Sequence, residues 1–435
     1  MGVRTGAEPS YHGDGGAGRW QWVRVAVPAL CLALLAGLWA WWPDGPHTPA
    51  TAPGPTARPV VGWQVAATGG RYDEGPGAWG VGDTVVQGRR DGLFAYAAGD
   101  GAVLWTVTPP RHATVCAMSP GVVQGVGLVA FGRRGRPCAT LVAVRAADGT
   151  EVWRRTLTGG GLVTGGLAVG GATGSTVVTA EPEAVRARSA ETGAQRWWRG
   201  VPDDCAPRAL GADTDRTLLV EQCGTRARLI ALDTRTGGQR WVRALPVGTP
   251  EVTAAVVSAT PAVLALSEED PRGTRAYLGF DGRGRRTATV PLSGPGGELV
   301  APDGVWAGTG AESPPLVVGD LLVALVRRAA LVPDCVVAYS LTTGREVWEH
   351  RPRGLTTSAL AREPDGRIGV LAATPGGGAL IVLLGTDGAE QGRVAPQDTG
   401  TAALSIRPQL LPVTEGHVVV NHLSMSGEPG VFSLR

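Results

Sequence analysis

A thirteen-residue motif recurs five times along the chain and constrains the fold more than any other feature. The five copies are LFAYAAGDGAVLW (93–105), LVAVRAADGTEVW (141–153), VRARSAETGAQRW (185–197), LIALDTRTGGQRW (229–241) and VVAYSLTTGREVW (336–348). In each copy an Ala precedes a Gly by six residues, and this Gly precedes a Trp by four. A motif that returns at a nearly constant interval indicates an architecture built from equivalent units.

Each copy predicts a β-hairpin. An apolar strand leads into Asp-Gly or Thr-Gly, where glycine supplies the positive φ of a tight turn, and Trp follows on the next strand. Trp105, Trp153, Trp197 and Trp241 are 48, 44 and 44 residues apart. That interval accommodates four strands of about 5–6 residues with their turns. Residues 277–287 and 381–391 keep the strand and the Gly turn but lack the Trp.

The two ends of the repeat region together complete one more unit. Residues 60–65 supply an outer strand with Trp63, whereas residues 403–411, 417–421 and 430–434 supply three strands without an outer fourth. The outer-strand positions are then 63, 105, 153, 197, 241, 287, 348 and 391. We therefore predict an all-β fold, an eight-bladed β-propeller that closes on a blade shared by both ends and so hides its sheet edges. A seven-bladed ring and an open stack remain as alternatives, and an insertion is expected around residues 304–315.

The motif resembles the repeat of pyrroloquinoline-quinone-type (PQQ-like) β-propellers over about residues 60–435. That superfamily includes quinoprotein dehydrogenases and the non-enzymatic propeller of the bacterial outer-membrane assembly lipoprotein. The resemblance implies that the motif Trp side chains pack between adjacent blades. These residues are Trp63, Trp105, Trp153, Trp197, Trp241 and Trp348. A packing motif is informative about fold rather than function.

The N-terminal residues predict a membrane anchor. Residues 25–42 contain no charge over eighteen positions, close to the minimum for a bilayer span, and the arginines precede them. The predicted domains are a disordered cytoplasmic tail (1–21), a transmembrane helix (22–42), a Pro-rich linker (43–59) and the PQQ-like propeller domain (60–435). This places the propeller outside a single-pass plasma-membrane anchor. A cleaved signal peptide is the alternative.

Composition excludes several kinds of site. All 40 basic residues are Arg, so mechanisms that need a lysine are excluded. The 38 acidic residues nearly balance them, and no basic stripe indicates a nucleic-acid partner.

The cysteines predict two local disulfides. Cys116 and Cys138 are 22 residues apart, Cys205 and Cys223 are 18 apart, and the members occupy matching positions in two units. This pairing favours an oxidising compartment. Cys335 occupies, in its own unit, the position that the second cysteine of each pair has, but no cysteine lies where the first would be. It is therefore expected to be a free, half-buried thiol.

No catalytic constellation is recognisable. The Cys-Cys dipeptide that marks quinoprotein dehydrogenases is missing from the sequence, and Glu268 to Asp270 is interpreted as a solvated acidic loop. His417 and His422 should lie on opposite faces of a strand, which argues against a shared metal. We therefore expect no catalytic, cofactor-binding or metal-binding residues. The expected function is a non-catalytic scaffold for protein interaction or envelope assembly, with unknown partners at the cell envelope.

Two other functions remain open. One is a PQQ- and calcium-dependent dehydrogenase-like enzyme. The other is an extracytoplasmic sensor of a small ligand or cell-wall fragment. Three arginine clusters, at 133–136, 283–286 and 327–328, are candidates for contacting acidic peptides or anionic wall polymers if they converge on one face.

Overall fold

The computed structural model describes residues 61–67, 73–157, 162, 167–170, 176–270, 272–301, 314–328, 332–395, 404, 407–424 and 427–435. The predicted tail, transmembrane helix and linker lie outside these residues. Where the chain is described, regular secondary structure is entirely β-strand. This part of the chain contains no helix with the length and apolarity needed to span a bilayer.

The described strands form eight antiparallel sheets, which we number as blades 1 to 8 and list from the inner strand outward. Blade 1 contains Gly77–Val81, Thr84–Arg89, Gly92–Ala97 and Val103–Val107; blade 2 contains Thr114–Met118, Val126–Gly132, Thr140–Arg145 and Glu151–Thr156. Blade 3 contains Leu167–Gly170, Thr176–Ala180, Ala184–Ser189 and Gln195–Gly200; blade 4 contains Cys205–Ala212, Arg216–Cys223, Arg226–Asp233 and Gln239–Ala244. Blade 5 contains Val252–Ser258, Ala262–Glu268, Arg275–Phe280 and Arg286–Pro291.

The remaining blades include one irregular sheet and the shared sheet. Blade 6 contains Ser293–Gly294, Gly297–Leu299, Leu316–Val318, Leu321–Arg327, Cys335–Ser340 and Glu346–His350; blade 7 contains Thr356–Arg362, Ile368–Ala373, Ala379–Leu384 and Glu390–Val394. Blade 8 contains Pro408–Val413, Gly416–Asn421, Pro429–Leu434 and Val61–Ala66. A short pair, Asp73–Glu74 with Leu423–Ser424, lies beside blade 8.

Blade 8 closes the ring in the predicted way. Its outer strand comes from the N-terminal side of the domain, with Val61 opposite Leu434, Gln64 opposite Phe432 and Val65 opposite Val431. The eight-bladed count is therefore confirmed, and the seven-bladed and open alternatives are wrong. Pairing the two ends satisfies backbone groups that would otherwise form two exposed sheet edges.

The apolar core lies between the blades rather than at one centre. The described residues form eight buried clusters, and each joins one blade to the next around the ring. Trp79, Tyr277 and Phe432 are the largest fully buried side chains. Since each blade buries its faces only against its two neighbours, closing the ring completes the burial of the first and last blades.

The six motif Trp residues attach their outer strands to the following blade. Trp197 of blade 3 donates a 2.9 Å hydrogen bond from Nε1 to the Thr234 carbonyl of blade 4. The same bond joins Trp63 to Ala98, Trp105 to Ala146, Trp153 to Ala190 and Trp348 to Thr386. Trp241 instead stacks on Phe280, and its buried Nε1 lacks an acceptor among the described residues.

The motif glycine lies against the indole of the preceding blade. At Gly237 φ is +73°, and a Cβ there would lie 2.7 Å from the Trp197 ring. A Cβ at Gly101, Gly149, Gly193, Gly284 or Gly388 would likewise come within 2.5–2.8 Å of the preceding Trp. Glycine is therefore required for two reasons: the turn needs a positive φ, and the indole ring occupies the space of a side chain.

The junction after blade 7 has no Trp for a topological reason. In blade 8 the third and outer strands come from distant parts of the sequence, so no motif turn joins them. An indole at position 392, which pairs with Leu383 as Trp241 pairs with Ala231, would have no such turn to contact. At the next junction, between blades 8 and 1, Arg435 adds to the contact made by Trp63. Its Nη2 donates to the carbonyls of Ala98, at 3.0 Å, and Gly99 in blade 1.

Blade 6 contains the predicted insertion. Its inner strand is divided, because Gly297–Leu299 and Leu316–Val318 pair with the same edge of Leu321–Arg327. Residues 302–313, between the two halves, lie outside the described part of the chain. The insertion thus interrupts an inner strand without changing the order of the blades.

Candidate interaction surface

The strand order divides the loops between two faces of the ring. Because neighbouring strands are antiparallel, the connections between blades and the turns between second and third strands share one face, which we call the entry face. The motif turns, between third and outer strands, lie on the other side, which we call the motif face.

The three arginine clusters predicted from the sequence do not converge. Residues 133–136 and 327–328 lie on the entry face, whereas residues 283–286 lie on the motif face. Arg285 is paired with Asp281 at 2.7 Å, and Arg328 is paired with Glu349 at 2.5 Å. In these two clusters, local carboxylates therefore neutralise part of the charge.

The 133–136 turn is part of a larger basic group. Thr114, at the start of blade 2, pairs with Gly132, and the amide of Val115 donates a 3.0 Å bond to the carbonyl of Arg90. These contacts bring three segments of the chain together on the entry face. We define the basic surface as Arg90, Arg111, Arg133, Arg134 and Arg136.

A carboxylate near the basic surface is already engaged. Asp91 accepts bonds of 2.9 and 2.7 Å from Nε and Nη2 of Arg89, the two-pronged geometry in which Arg binds a carboxylate. Arg89 also lies 4.4 Å from the centre of the Phe94 ring. The negative charge of Asp91 is therefore matched by Arg89, which lies outside the basic surface as defined.

A disulfide fixes the turn that carries three of these arginines. Cys116 of the inner strand is bonded to Cys138, two residues after Arg136, with Cα atoms 6.1 Å apart. The amide of Arg136 also donates to the Arg133 carbonyl at 2.9 Å. The bridge and the turn bond hold the base of an otherwise exposed hairpin.

The far side of the entry face is richer in carboxylates. Its exposed carboxylates are Asp203, Asp204, Glu251, Glu269 and Asp270, and its arginines include Arg226 and Arg272. Glu269 shares a hydrogen bond with Glu251, and the neighbouring charge adds to this effect, so the pKa of Glu269 is raised. Blades 1 and 2 are thus the basic side of this face, and blades 4 and 5 include the acidic side.

Glu268 differs from the sequence interpretation. It ends the second strand of blade 5 and is 5% exposed, rather than lying in a solvated loop. Its carboxylate accepts bonds from the amides of Gly248, Thr249 and Thr274, at 2.8, 3.1 and 2.6 Å. Burial opposes ionisation, but these bonds together hold the pKa of Glu268 below its usual value. Its role is to anchor the loop that enters blade 5.

The second disulfide adjoins a buried carboxylate. Cys205 is bonded to Cys223, with Cα atoms 4.0 Å apart, and Glu221 presents an oxygen within 4.8 Å of both sulfur atoms. Glu221 also accepts a 2.7 Å bond from Nε of Arg228. This trio has the residue types of a metal site, but its two sulfur atoms are bonded to each other.

The free thiol of Cys335 is more deeply buried than expected. The side chain has no exposed surface, and its sulfur lies 3.7 Å from the Val326 carbonyl. Burial raises the pKa of Cys335 despite a hydrogen bond with Arg328. A fully buried thiol replaces the half-buried one that the sequence predicted.

The two histidines of blade 8 contact different partners. Nε2 of His417 lies 3.0 Å from Glu363 of blade 7, and Nε2 of His422 lies 2.9 Å from Gln409. Burial, and then the charge of Arg407, lower the pKa of His422 to about 4. Sequence periodicity indicated that the two side chains diverge, but it contained no signal for their partners.

The inner strands offer few groups for chemistry. In the described residues their charged side chains are Arg208, Glu298 and Arg362, and the rest are mainly small or apolar. Arg208 occupies a β-bulge between Pro207 and Ala209 and is exposed. Most ionisable groups of the described residues therefore lie outside the inner strands.

Comparisons with known proteins find one matching family and several similar structures. Residues 138–301 match the family described as outer membrane protein assembly factor BamB. No curated protein matches the chain. Among solved structures, BamB from Moraxella catarrhalis is similar at 16% identity and a TM-score of 0.45, over 87% of this chain and 97% of that one.

Two further solved structures show the fold. A computationally designed protein, Ika8, has 13% identity and a TM-score of 0.52, over 86% of this chain and 99% of that one. The C-terminal WD40 domain of Sif2 has 10% identity and a TM-score of 0.52, over 86% and 98%. The chain is therefore an eight-bladed β-propeller with PQQ-like repeats, similar over residues 138–301 to the BamB-type family.

Proposed function

We propose that this protein is a membrane-tethered, extracellular β-propeller that acts as a non-catalytic scaffold for protein interaction during envelope assembly. The observation that carries this proposal is the basic surface, a charged group on a loop face. Four of its members, Arg111, Arg133, Arg134 and Arg136, are exposed and form no ion pair within the described residues. A closed ring holds such loops in fixed positions, and loops on a rigid scaffold are common sites of recognition.

The engagement of the buried ionisable groups supports a non-catalytic role. Glu268 binds loop amides, Glu221 binds Arg228, and His417 contacts Glu363. Each of these side chains has a structural partner. A catalytic acid, base or nucleophile must instead converge with others on a space that a substrate can occupy.

The N-terminal sequence supports the tether. The uncharged residues 25–42 suit a bilayer span, and the 43–59 linker contains six prolines. An extended linker of this kind reaches about 3 Å per residue, or roughly 50 Å in all. The entry face would then be free to meet partners away from the membrane surface.

The family match supports the envelope role. The matched family is described as an assembly factor of the outer membrane. A role in envelope assembly would suit a membrane-anchored propeller with a charged loop face.

In-membrane crosslinking tests the function. Photo-crosslinking from the entry face of the full-length protein, for example at position 108, should capture one reproducible partner, and the same probe at motif-face position 343 should not. Capture of nothing, or of the same proteins from both faces, would contradict a scaffold role for the entry face.

A parallel assay tests the enzymatic alternative. The purified full-length protein is titrated with pyrroloquinoline quinone and calcium in the presence of an artificial electron acceptor. The scaffold proposal expects no saturable binding and no electron transfer. Turnover that depends on both additions would replace the proposal with a dehydrogenase.

A further inference from the structure

The basic surface concentrates positive charge in one sector of the entry face. Residues 89–91, 108–114 and 132–139 contain six arginines and a single acidic residue, Asp91, which binds Arg89. The connection that follows blade 2, residues 158–166, contains no charged residue. The excess positive charge is therefore not balanced by the acidic residues of these segments.

These arginines differ from several others that are paired with carboxylates. Arg154, Arg228 and Arg393 each bind a glutamate of their own blade at 2.5 Å. Arg111, Arg133, Arg134 and Arg136 are exposed, and none forms an ion pair with a carboxylate in the described residues. Folding gains little from four unpaired, exposed cations, and their mutual repulsion opposes placing them together.

The turn is also organised before any partner arrives. The Cys116–Cys138 bridge restrains the hairpin, and Gly135, at φ +71°, allows the tight turn between Arg134 and Arg136. Restraining a loop in its binding conformation reduces the entropy lost on association.

Prolines lie among the arginines and give the surface an apolar component. Pro110 and Pro137 are exposed, and Pro109, which precedes Pro110, is half-buried. Guanidinium groups bind carboxylates through paired hydrogen bonds, and the proline rings provide contact for apolar side chains. A peptide that combines acidic and apolar residues uses both features, whereas a phosphate polymer uses only the charges.

We propose that the basic surface binds an acidic peptide segment of the partner protein, an inference that rests on the scaffold function proposed above. The carboxylates of the segment engage Arg111, Arg133, Arg134 and Arg136. The acidic side of the same face repels the segment, and this repulsion confines it to blades 1 and 2.

The test measures binding of a defined acidic peptide to the full-length protein. The probe is a fluorescein-labelled peptide of alternating Glu and Leu, followed by fluorescence anisotropy at 0.05 and 0.15 M salt. The variant Arg133→Glu/Arg134→Glu/Arg136→Glu is expected to weaken binding at least tenfold. The neutral variant Arg133→Gln/Arg134→Gln/Arg136→Gln, which avoids new repulsion, should weaken it several-fold.

A matched control separates local recognition from net charge. Arg283→Glu/Arg286→Glu/Arg345→Glu makes the same charge change at exposed positions on the motif face. It should leave the dissociation constant within twofold of the unsubstituted protein. Equal weakening by both triple variants, or no binding by the unsubstituted protein, overturns the proposal.

Competition by a second probe tests the class of ligand. Polyglycerol phosphate of matched charge should displace the peptide weakly. Displacement at lower concentration than the unlabelled peptide, with the same dependence on Arg133, Arg134 and Arg136, assigns the surface to an anionic polymer and overturns the peptide proposal. The crosslinking assay separates this inference from the scaffold function. If the 133–136 variants still capture the partner as the unsubstituted protein does, the scaffold function stands and only the peptide inference is overturned.

Discussion

Oγ1 of Thr287 donates a 2.7 Å hydrogen bond to the main-chain oxygen of Leu341, across the junction between blades 5 and 6. At five other junctions an indole N–H makes the corresponding contact. The position of the motif Trp is occupied by Ala288, opposite Gly279, and its small side chain lets the next turn approach: a Cβ at Gly344 would lie 2.9 Å from the Thr289 carbonyl oxygen rather than against a ring. The junction without Trp is thus closed in a different way.

This arrangement predicts that restoring the consensus residue does not stabilise the protein. Thr287→Val should cost about 1 kcal/mol, because the Leu341 carbonyl loses its donor. Ala288→Trp, at the position that pairs with Gly279 as Trp241 pairs with Ala231, should also fail to raise the free energy of unfolding, since the blade 6 turn occupies the space of the indole. Chemical denaturation measures both, and a Trp variant more stable than the natural protein would show that the junction has room.

Adjacent tryptophans in blade 3 should differ sharply in their contribution to stability. Trp197 is 8% exposed and donates to Thr234, whereas Trp198 is 61% exposed. Trp197→Ala should lower the free energy of unfolding by about 3–5 kcal/mol. Trp198→Ala should change it by about 0.5 kcal/mol or less. Equal effects in urea denaturation would contradict the assignment of the first ring to the blade junction.

Two glycines of blade 4 separate backbone strain from steric conflict. Gly224 and Gly237 both have positive φ, at +58° and +73°, but a Cβ meets nothing within 4 Å at Gly224 and the Trp197 ring at Gly237. Gly224→Ala should cost about 1 kcal/mol, because alanine is strained in a left-handed conformation. Gly237→Ala should cost about 1–3 kcal/mol more, from overpacking against the ring. Similar thermal midpoints for the two variants would argue against contact with the indole.

His422 should make stability depend on pH below neutrality. Its folded-state pKa is lowered to about 4, mainly by burial, whereas the unfolded value is about 6.5. Above pH 6.5 both states are neutral, so the contribution to stability is complete. As the pH falls from 6.5 to 4, the unfolded state binds a proton that the folded state does not, and about 3 kcal/mol is lost.

Denaturation at pH 7 and pH 4.5 measures this dependence. His422→Gln should reduce the difference between the two free energies of unfolding, although other groups contribute a residual slope. His112→Gln, at an exposed position, is the matched control and should leave the difference unchanged. An unaltered slope in the His422 variant would place the responsible group elsewhere.

Cys335 should react with thiol reagents only when the propeller unfolds. Its side chain is fully buried, and burial raises the pKa of the thiol. Only the thiolate is nucleophilic, so both properties slow the reaction. The sixth cysteine of the chain, Cys31, precedes the propeller domain and is replaced by Ser so that it does not react. In this background at pH 8, labelling should follow the global unfolding rate, whereas Ser293→Cys, at an exposed position of blade 6, should react within seconds. Stoichiometric labelling of the native protein at Cys335 would contradict its burial.

The two disulfides could be predicted from the spacing of the cysteines because each bridge is local. Cys116 pairs with Cys138 and Cys205 with Cys223, each within one blade, so equivalent positions in two repeats were sufficient to match them. The burial of Cys335 and Glu268 could not be predicted in this way. Burial there depends on the loops and strands that cover each side chain, which a single repeat does not contain.

The basic surface was only partly visible in the sequence. The 133–136 cluster was identified, but so were two others, and sequence could not rank them. Arg90 and Arg111 join the first cluster because blade 2 begins beside the preceding blade, as the contact between Val115 and Arg90 shows. Antiparallel pairing places the 283–286 cluster on the opposite face, and local carboxylates pair Arg285 and Arg328.

The sequence by itself determined the repeat, its β-hairpins, the eight units and the closure by both ends, because these follow from periodicities written in every copy. Only the tertiary structure decided which charges meet on one face, which ionisable groups are buried, and how Thr287 replaces an indole. Those properties arise from contacts between neighbouring blades. Such contacts join residues distant in the chain, so the pattern within one repeat does not specify them.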